Sequence, residues 1–183
     1  MKEKFLNNEI WVLTFGGGFQ RANIYKEKIP TSTRKKFREE LRNHIEDLVK
    51  NNYSFEISEE NHIENIQSIV NFSKEQEFEG FKIPVNFGVA QKLLNLYLKY
   101  LWCAGQLKTI PIHFPVDRLI QGLLNDEAKK ADIQKRELKA WTQFEDEVEY
   151  IKVIRFAEKV MDKNKEFNRM SLAELELSLF NRR

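Results

Sequence analysis

The residues best placed to do chemistry are polar side chains within an otherwise apolar stretch, residues 86–106 (NFGVAQKLLNLYLKYLWCAGQ). At about 100° per residue, the helical period, Lys92, Asn95 and Lys99 lie on one narrow face, and apolar residues fill most of the remaining circumference. In one interpretation, the two lysine heads reach water through a gap between neighbouring helices. In the other, the three side chains line a partly enclosed pocket, where they pair with carboxylates or bind an anion, because a buried ammonium group without a partner is costly.

A second candidate is the pair His113 and Asp117, in the segment HFPVDRLI (113–120). Pro115 suits the start of a helix, where its missing amide is not needed, so Asp117 and Arg118 should fall in the first turn. An imidazole oriented by an aspartate could act there as a catalytic acid, base or ligand, with Arg118 and the lysines of the central stretch holding an anionic substrate. Alternatively, Asp117 is simply favourable at the positive end of a helix, and His113 caps a loop.

Basic residues are concentrated between Arg21 and Arg42, where eight Lys or Arg residues stand against three Asp or Glu. Such a local excess fits binding to the phosphate backbone of a nucleic acid, although a solvated helix face has the same composition. Residues 56–79 have the opposite character, with seven Glu and one Lys, and attraction between the two segments, within one domain or between copies, is the simpler explanation. The predicted nucleic-acid surface consists of Arg21, Arg34, Lys35, Lys36, Arg38 and Arg42.

Two stretches of the chain resemble known proteins. Arg38 and His44 are separated by five residues, and this spacing resembles the Arg/His pairs of small all-helical ribonucleases of the HEPN type. That resemblance implies a ribonuclease site on this helix, whereas the alternative is a histidine at the edge of the core. Residues 90–103 (AQKLLNLYLKYLWC) and 113–120 resemble a group of bacterial proteins, and this second resemblance implies no activity.

The composition is that of a folded, helix-rich chain of 183 residues, with 32% charged and 12% aromatic residues and a net charge of only +2. We expect one domain over residues 1–183, with a less regular segment at 1–30. The single cysteine, Cys103, excludes an internal disulfide and fits a reducing compartment, and within the central helix it should be a small core residue. No apolar signal segment follows Met1, so we expect a cytoplasmic protein.

Several site classes are excluded by pattern. Zinc-ligand spacing, a Walker motif, a dinucleotide fingerprint and a nucleophile elbow are all missing from the sequence. We therefore predict neither a metal nor a cofactor. The central stretch carries Lys92 and Lys99 and is too short for a membrane span, which needs about 20 apolar residues, so no membrane partner is predicted.

The elements that must position these residues are predicted to form a mainly α fold, with five or six helices in a globular bundle around a buried central helix, residues 87–104. Asn86 is a suitable N-cap for that helix, and Gly105 can adopt the left-handed conformation that ends it. Leucines in residues 172–180 favour packing there, either within the domain or in a homo-oligomer. The other expected helices are 32–51, 59–75 (capped by Ser58), 116–125, 137–163 and a last one that runs from the capping box at Ser171 to Phe180.

The N-terminal segment allows more than one structure. Residues 9–15 (EIWVLTF) are β-branched and aromatic, and three glycines, residues 16–18, follow them. This pattern is typical of a small β-hairpin with a glycine turn. A loop whose amides cradle a phosphate and a helix over residues 7–15 are the alternatives.

The leading functional hypothesis is a helical binding protein with a basic surface for an anionic partner such as a nucleic acid. The alternative is an enzyme of the hydrolase or ribonuclease class that uses His113 and Asp117 as an acid–base pair.

Overall fold

The structure, a computed structural model, describes residues 1–25 and 28–180. β-Structure in those residues is limited to an isolated bridge between Phe78 and Phe81, so the mainly α prediction is confirmed. The described part of the chain contains seven α-helices and one 3-10 turn in this order: α1 (Lys2–Phe19), α2 (Thr31–Asn52), α3 (Glu59–Glu75), α4 (Phe87–Cys103), α5 (Arg118–Lys130), the 3-10 turn (Trp141–Gln143), α6 (Glu147–Lys163) and α7 (Leu172–Leu179).

Helix α4 is the central element, as its apolar circumference predicts. Its N-terminus is capped by Asn86, whose side-chain oxygen accepts a hydrogen bond from the Val89 amide at 3.1 Å. Gly105, at a φ of +70°, adopts the left-handed conformation just beyond the helix. Leu94 and Leu96, which are about 200° apart around the helix, are both buried, because neighbouring helices pack around most of its surface.

The prediction of an N-terminal β-hairpin is wrong, because residues 2–19 form one helix. The helical alternative for this segment is confirmed, and the glycines form no phosphate-cradling loop because they lie inside α1. Their role is close packing against α4. A Cβ at Gly17 would lie 2.8 Å from Leu96 Cδ1, and one at Gly18 would overlap the side chain of Leu93. The glycines therefore let two helix backbones approach more closely than residues with side chains would allow.

The predicted helix 137–163 is also wrong in its first part, since α6 begins only at Glu147. The preceding residues wrap across the start of α4 and use their backbone groups for that contact. The Gly88 amide donates to the Phe144 carbonyl at 2.9 Å, and Asn86 Nδ2 donates to the Thr142 carbonyl at 2.7 Å. A Cβ at Gly88 would overlap the Trp141 carbonyl oxygen, so this junction depends on glycine.

Other boundaries agree more closely with the sequence. Ser58 caps α3 by accepting from the Asn61 amide, and Ser171 begins α7 with a capping box formed with Glu174. Helix α5 continues to Lys130, beyond the predicted end at residue 125. Cys103 was expected in the core and is instead exposed, because it lies in the last turn of α4 where the packing ends.

The helices form two groups that meet at α4. Helices α1 and α3 pack on α4, and α2 packs on α3. Helices α5, α6 and α7 contact one another, and the 3-10 turn, which precedes α6 in the chain, contacts α4. Within residues 1–25 and 28–180, no helix combines the length and the apolar character that crossing a bilayer requires.

Candidate functional site

A partly enclosed cavity of about 220 Å³ lies beside α4, where α1, α5 and α7 meet it. We call it the lysine cavity. Helix α4 supplies Lys92 and Lys99 about two turns apart on one face, so that both side chains line the same space. The other charged lining residues are Arg21, Asp117, Arg118 and Glu176, and the aromatic rings of Tyr100, Trp141 and Phe180 complete much of the wall.

Lys99 is held by a buried ion pair with helix α7. Its Nζ lies 2.7 Å from Glu176 Oε1 and 2.6 Å from Oε2, so it contacts both carboxylate oxygens. The ring centroid of Phe180 lies 4.4 Å from the same nitrogen, close enough for a cation–π interaction. Burial raises the pKa of Glu176, and the charge of Lys99 opposes that rise. The pair is thus strongly desolvated.

Lys92 is held in a similar way by the N-cap of α5. Its Nζ donates to Asp117 Oδ2 at 3.1 Å and lies 4.2 Å from the ring centroid of Trp141. The second oxygen of Asp117 accepts from the Ile120 amide at 3.0 Å, which fixes the carboxylate at the start of the helix. Burial lowers the pKa of Lys92, Asp117 opposes this change, and the nearby charge of Arg21 adds to it.

The lysine cavity carries an excess of positive charge. Among its described lining residues, four side chains are cationic and two are carboxylates, which gives an excess charge of +2. Both carboxylates are paired with lysines. Within the described part of the chain, neither Arg21 nor Arg118 forms an ion pair. Both arginine residues are exposed at the rim, so they remain available to an anionic group.

The polar face of α4 had two interpretations. For Lys92 and Lys99, the structure has the geometry of the second one, in which the side chains line a partly enclosed pocket. Lys92 and Lys99 are only 8% and 9% exposed, and each pairs with a carboxylate. Asn95 belongs elsewhere, since its Nδ2 donates to the Tyr150 hydroxyl at 3.0 Å in the interior. The structure therefore brings Lys92, Lys99 and Arg118 to one cavity and separates Asn95 from them. Anion binding there stays a prediction.

A second polar cluster is buried between α3, α4 and α6. His113 Nδ1 lies 3.0 Å from the Tyr150 hydroxyl, and its Nε2 lies 3.1 Å from Glu59 Oε2. The same hydroxyl lies 3.5 Å from His62 Nε2, and His62 Nδ1 lies 2.8 Å from the hydroxyl of Tyr53. This arrangement joins two histidines and two tyrosines in one hydrogen-bonded chain. Glu59 extends the chain beyond His113 and is its more exposed end.

The predicted pair His113 and Asp117 is divided between these two clusters. His113 contacts Tyr150 and Glu59, whereas Asp117 contacts Lys92 and the first turn of α5. Burial, followed by the charge of Arg155, lowers the pKa of His113 to about 3, so the imidazole is neutral near pH 7. In this geometry His113 and Asp117 contact different partners, and an acid–base role for the pair stays a prediction.

The predicted nucleic-acid residues lie along α2 and at the end of α1. Three arginines, one helical turn apart, cover aromatic rings of α1 and the segment that follows it. The Arg34 guanidinium lies 4.9 Å from the Tyr25 centroid, and that of Arg42 lies 5.8 Å from Trp11. Arg38 lies within 6 Å of three rings, those of Phe15, Phe19 and Tyr25. Lys35 and Lys36 are exposed beside them.

An open groove of about 950 Å³ runs beside these rings, and we call it the aromatic groove. Its described lining residues include two arginines, Arg21 and Arg38, and no carboxylate. Phe15, Phe19 and Tyr25 contribute partly exposed rings. The basic residues were predicted from the sequence but the rings were not, although Phe15 and Phe19 are four residues apart, a spacing that places both on one face of a helix.

Arg38 and His44, which suggested a ribonuclease pair, face different neighbours. Arg38 Nε donates to the Tyr25 hydroxyl at 3.0 Å, on the side of α2 that faces α1. His44 stacks on Phe72 of α3 with a centroid distance of 4.4 Å and contacts Ser68 at 3.2 Å. Residues six positions apart on a helix are separated by about 240°, so the structure does not bring these two side chains together.

The fold and the two sites define a helical protein with a partly enclosed, positively charged cavity next to an open aromatic groove. Comparison of the chain with protein-family models, curated proteins and solved structures found no match. A search of residues 1–25 and 28–180 for three or more His, Cys, Asp or Glu side chains arranged to hold a metal found none.

Proposed function

We propose that this protein binds an anionic partner whose charged group enters the lysine cavity. The observation that carries the proposal is the arrangement of Arg21 and Arg118, which line a cavity of net charge +2 while both of its carboxylates are paired with lysines. Guanidinium groups bind phosphate and carboxylate through two parallel hydrogen bonds. A phosphate or carboxylate group is thus the chemical class that the cavity fits best.

The buried lysines support the proposal on energetic grounds. Replacing a buried ion pair with apolar side chains is often neutral or stabilising, so stability alone does not explain two such pairs around one cavity. A ligand anion would add a third negative charge to four cations, which relieves the repulsion that Arg21 exerts on Lys92. Binding should therefore raise the pKa of Lys92.

Titration calorimetry with pyrophosphate at low ionic strength tests this function. We expect the wild-type protein to bind, and Arg118→Gln to bind about 10- to 100-fold more weakly, because a hydrogen bond to a charged group contributes about 1.5–3 kcal/mol. Lys159→Gln is the matched control, since Lys159 is an exposed cation on α6 outside the cavity. An absence of heat with wild-type protein, or equal affinities for all three proteins, would contradict the proposal.

A nucleic acid is the second candidate partner, and the arginines over aromatic rings favour it. Single-stranded nucleic acids bind to surfaces that combine basic residues with rings on which bases stack. Such binding to the surface of Arg21, Arg34, Lys35, Lys36, Arg38 and Arg42 should weaken steeply with added salt, because condensed counterions are released. Fluorescence anisotropy of a labelled oligonucleotide at rising salt measures this, and undetectable binding at low ionic strength would remove the nucleic acid.

The other functional predictions have less support from the contacts. An enzyme that uses His113 and Asp117 would need the two side chains to meet, and a hydrolysis assay that loses activity in His113→Asn would favour it. A homo-oligomer through residues 172–180 has little exposed apolar surface there, with Leu177 at 37% exposure, and light scattering would test it. A cytoplasmic location rests on the single cysteine and is testable by cell fractionation.

A further inference from the structure

The lysine cavity and the aromatic groove share a wall at the end of α1. Gly17, Gln20 and Arg21 line both spaces. Gly17 contributes no side chain to this wall, and the side chains of Gln20 and Arg21 are exposed. A ligand group in the cavity can therefore be covalently continuous with a group that lies in the groove.

The volumes indicate that the cavity holds only part of its ligand. Sites for complete small molecules usually occupy about 300–1,000 Å³, whereas the lysine cavity has about 220 Å³. Because Gly17, Gln20 and Arg21 line both spaces, the rest of the ligand can extend from the cavity into the groove. The aromatic groove, at about 950 Å³, is large enough for it.

The chemistry of the groove selects planar, negatively charged groups. Partly exposed rings of Phe15, Phe19 and Tyr25 offer stacking surfaces, and the Arg38 guanidinium lies 5.8–5.9 Å from their centroids. Base–aromatic stacking tolerates any base, because every base has a π face. With two arginines and no carboxylate among its described lining residues, the groove also favours a phosphate backbone.

The charge of the cavity selects the kind of phosphate. An internal phosphodiester carries one negative charge, whereas a terminal phosphate monoester carries about −1.5 to −2 at pH 7. The cavity has an excess charge of +2, from Arg21 and Arg118. A monoester dianion would neutralise that excess, and an internal diester would neutralise only half of it.

We propose that the cavity and the groove form one site for the phosphorylated end of a single-stranded nucleic acid, with the terminal phosphate in the lysine cavity and the adjoining bases along the aromatic groove. This inference rests on the proposed function and specifies its ligand. Recognition of the end, as opposed to the strand, follows from a cavity that has room for a phosphate but not for a strand that passes through it.

The test compares short, fluorescently labelled oligonucleotides of one sequence that carry a 5′-phosphate, a 3′-phosphate or only hydroxyl ends. Anisotropy at constant salt measures their affinities. We expect one of the two phosphorylated forms to bind at least about tenfold more tightly than the hydroxyl form, and pyrophosphate to compete with it. The control for charge alone is an oligonucleotide that is one nucleotide longer, which adds a phosphodiester without a terminal monoester.

Three variants separate the two parts of the site. Arg118→Gln should abolish the preference for the phosphorylated end while it leaves the affinity for the hydroxyl form within about twofold. Arg38→Gln should weaken all oligonucleotides by a similar factor of about three to ten and leave pyrophosphate binding unchanged. Lys159→Gln should change neither. Arg38 and Arg118 are exposed, and circular dichroism melts verify that each variant is folded.

The outcomes distinguish this inference from the proposed function. If pyrophosphate binds in a manner that depends on Arg118 but the three oligonucleotides bind equally or not at all, the end-recognition inference is wrong and the anion site stands. If neither pyrophosphate nor any oligonucleotide binds, both are wrong. A preference for the phosphorylated end that persists in Arg118→Gln would also overturn the assignment of the phosphate to the cavity.

Discussion

The buried pair of Lys99 and Glu176 leads to a quantitative prediction about stability. Lys99→Met removes the ammonium group and leaves a carboxylate whose side chain is only 4% exposed. At a separation of 2.6 Å and an effective dielectric constant of about 20, the lost attraction is about 6 kcal/mol, and the wild-type pair loses a similar amount by desolvation. We expect Lys99→Met to lower the free energy of unfolding by about 3–5 kcal/mol at pH 7.

The double variant Lys99→Met/Glu176→Leu should behave differently. It removes both charges together with their desolvation cost, so we expect its stability to lie within about 1 kcal/mol of the wild type or above it. Urea denaturation followed by circular dichroism measures all three proteins. Lys152→Met is the control, since it breaks an exposed pair with Glu149, and surface pairs contribute about 0–1 kcal/mol.

The single variant also has a predicted dependence on pH. Without Lys99, the pKa of Glu176 should rise further above its value in the unfolded chain, because burial is then unopposed. A carboxyl group with a raised folded-state pKa destabilises the fold as pH increases through the interval between the two pKa values. Lys99→Met should thus lose less stability at pH 5 than at pH 7. A single variant as stable as the wild type, or a double variant as unstable as the single one, would refute the reasoning.

Two further predictions concern packing and the buried histidines. Gly18→Ala should destabilise the protein by about 1–3 kcal/mol, because the added Cβ overlaps Leu93. Gly16→Ala, which has open space around its Cβ, should stabilise helix α1 by about 0.5–1 kcal/mol. Equal effects of the two substitutions in thermal melts would contradict this. Burial lowers the pKa of His62, and it lowers that of His113 to about 3. Below about pH 6.5 the unfolded chain therefore binds more protons than the folded chain. As the pH decreases through this range, the free energy of unfolding should decrease by about 1.4 kcal/mol per pH unit for each histidine. His113→Gln should flatten that slope in urea titrations, and an unchanged slope would contradict the assignment.

The fold was predictable where one segment determined its own structure. The apolar circumference of α4, the caps at Asn86 and Ser58 and the capping box at Ser171 depend on local spacing, and all four are confirmed. The prediction of a turn at the glycines of residues 16–18 was wrong. Glycine is needed there because α1 packs closely on α4, about 75 residues away in sequence. Local patterns do not contain that contact.

The same difference applies to the candidate site. The positions of Lys92 and Lys99 on one face of α4 followed from helical periodicity, and Asp117 followed from its place at a helix start. Glu176 could not be assigned as the partner of Lys99, because the two are 77 residues apart and only the packing of α7 brings them together. The role of Tyr150, at the centre of the buried histidine cluster, was missed for the same reason.

Entry of an anionic group into the lysine cavity can be followed by nuclear magnetic resonance of 13Cε-labelled lysines. Pyrophosphate is titrated into the protein, and the signals of Lys92 and Lys99 are identified by substitution of each residue with arginine. We predict that both signals shift together and saturate, while the signal of the exposed Lys159 stays in place. Unchanged signals from Lys92 and Lys99, at pyrophosphate concentrations that shift those of exposed lysines, would contradict the account.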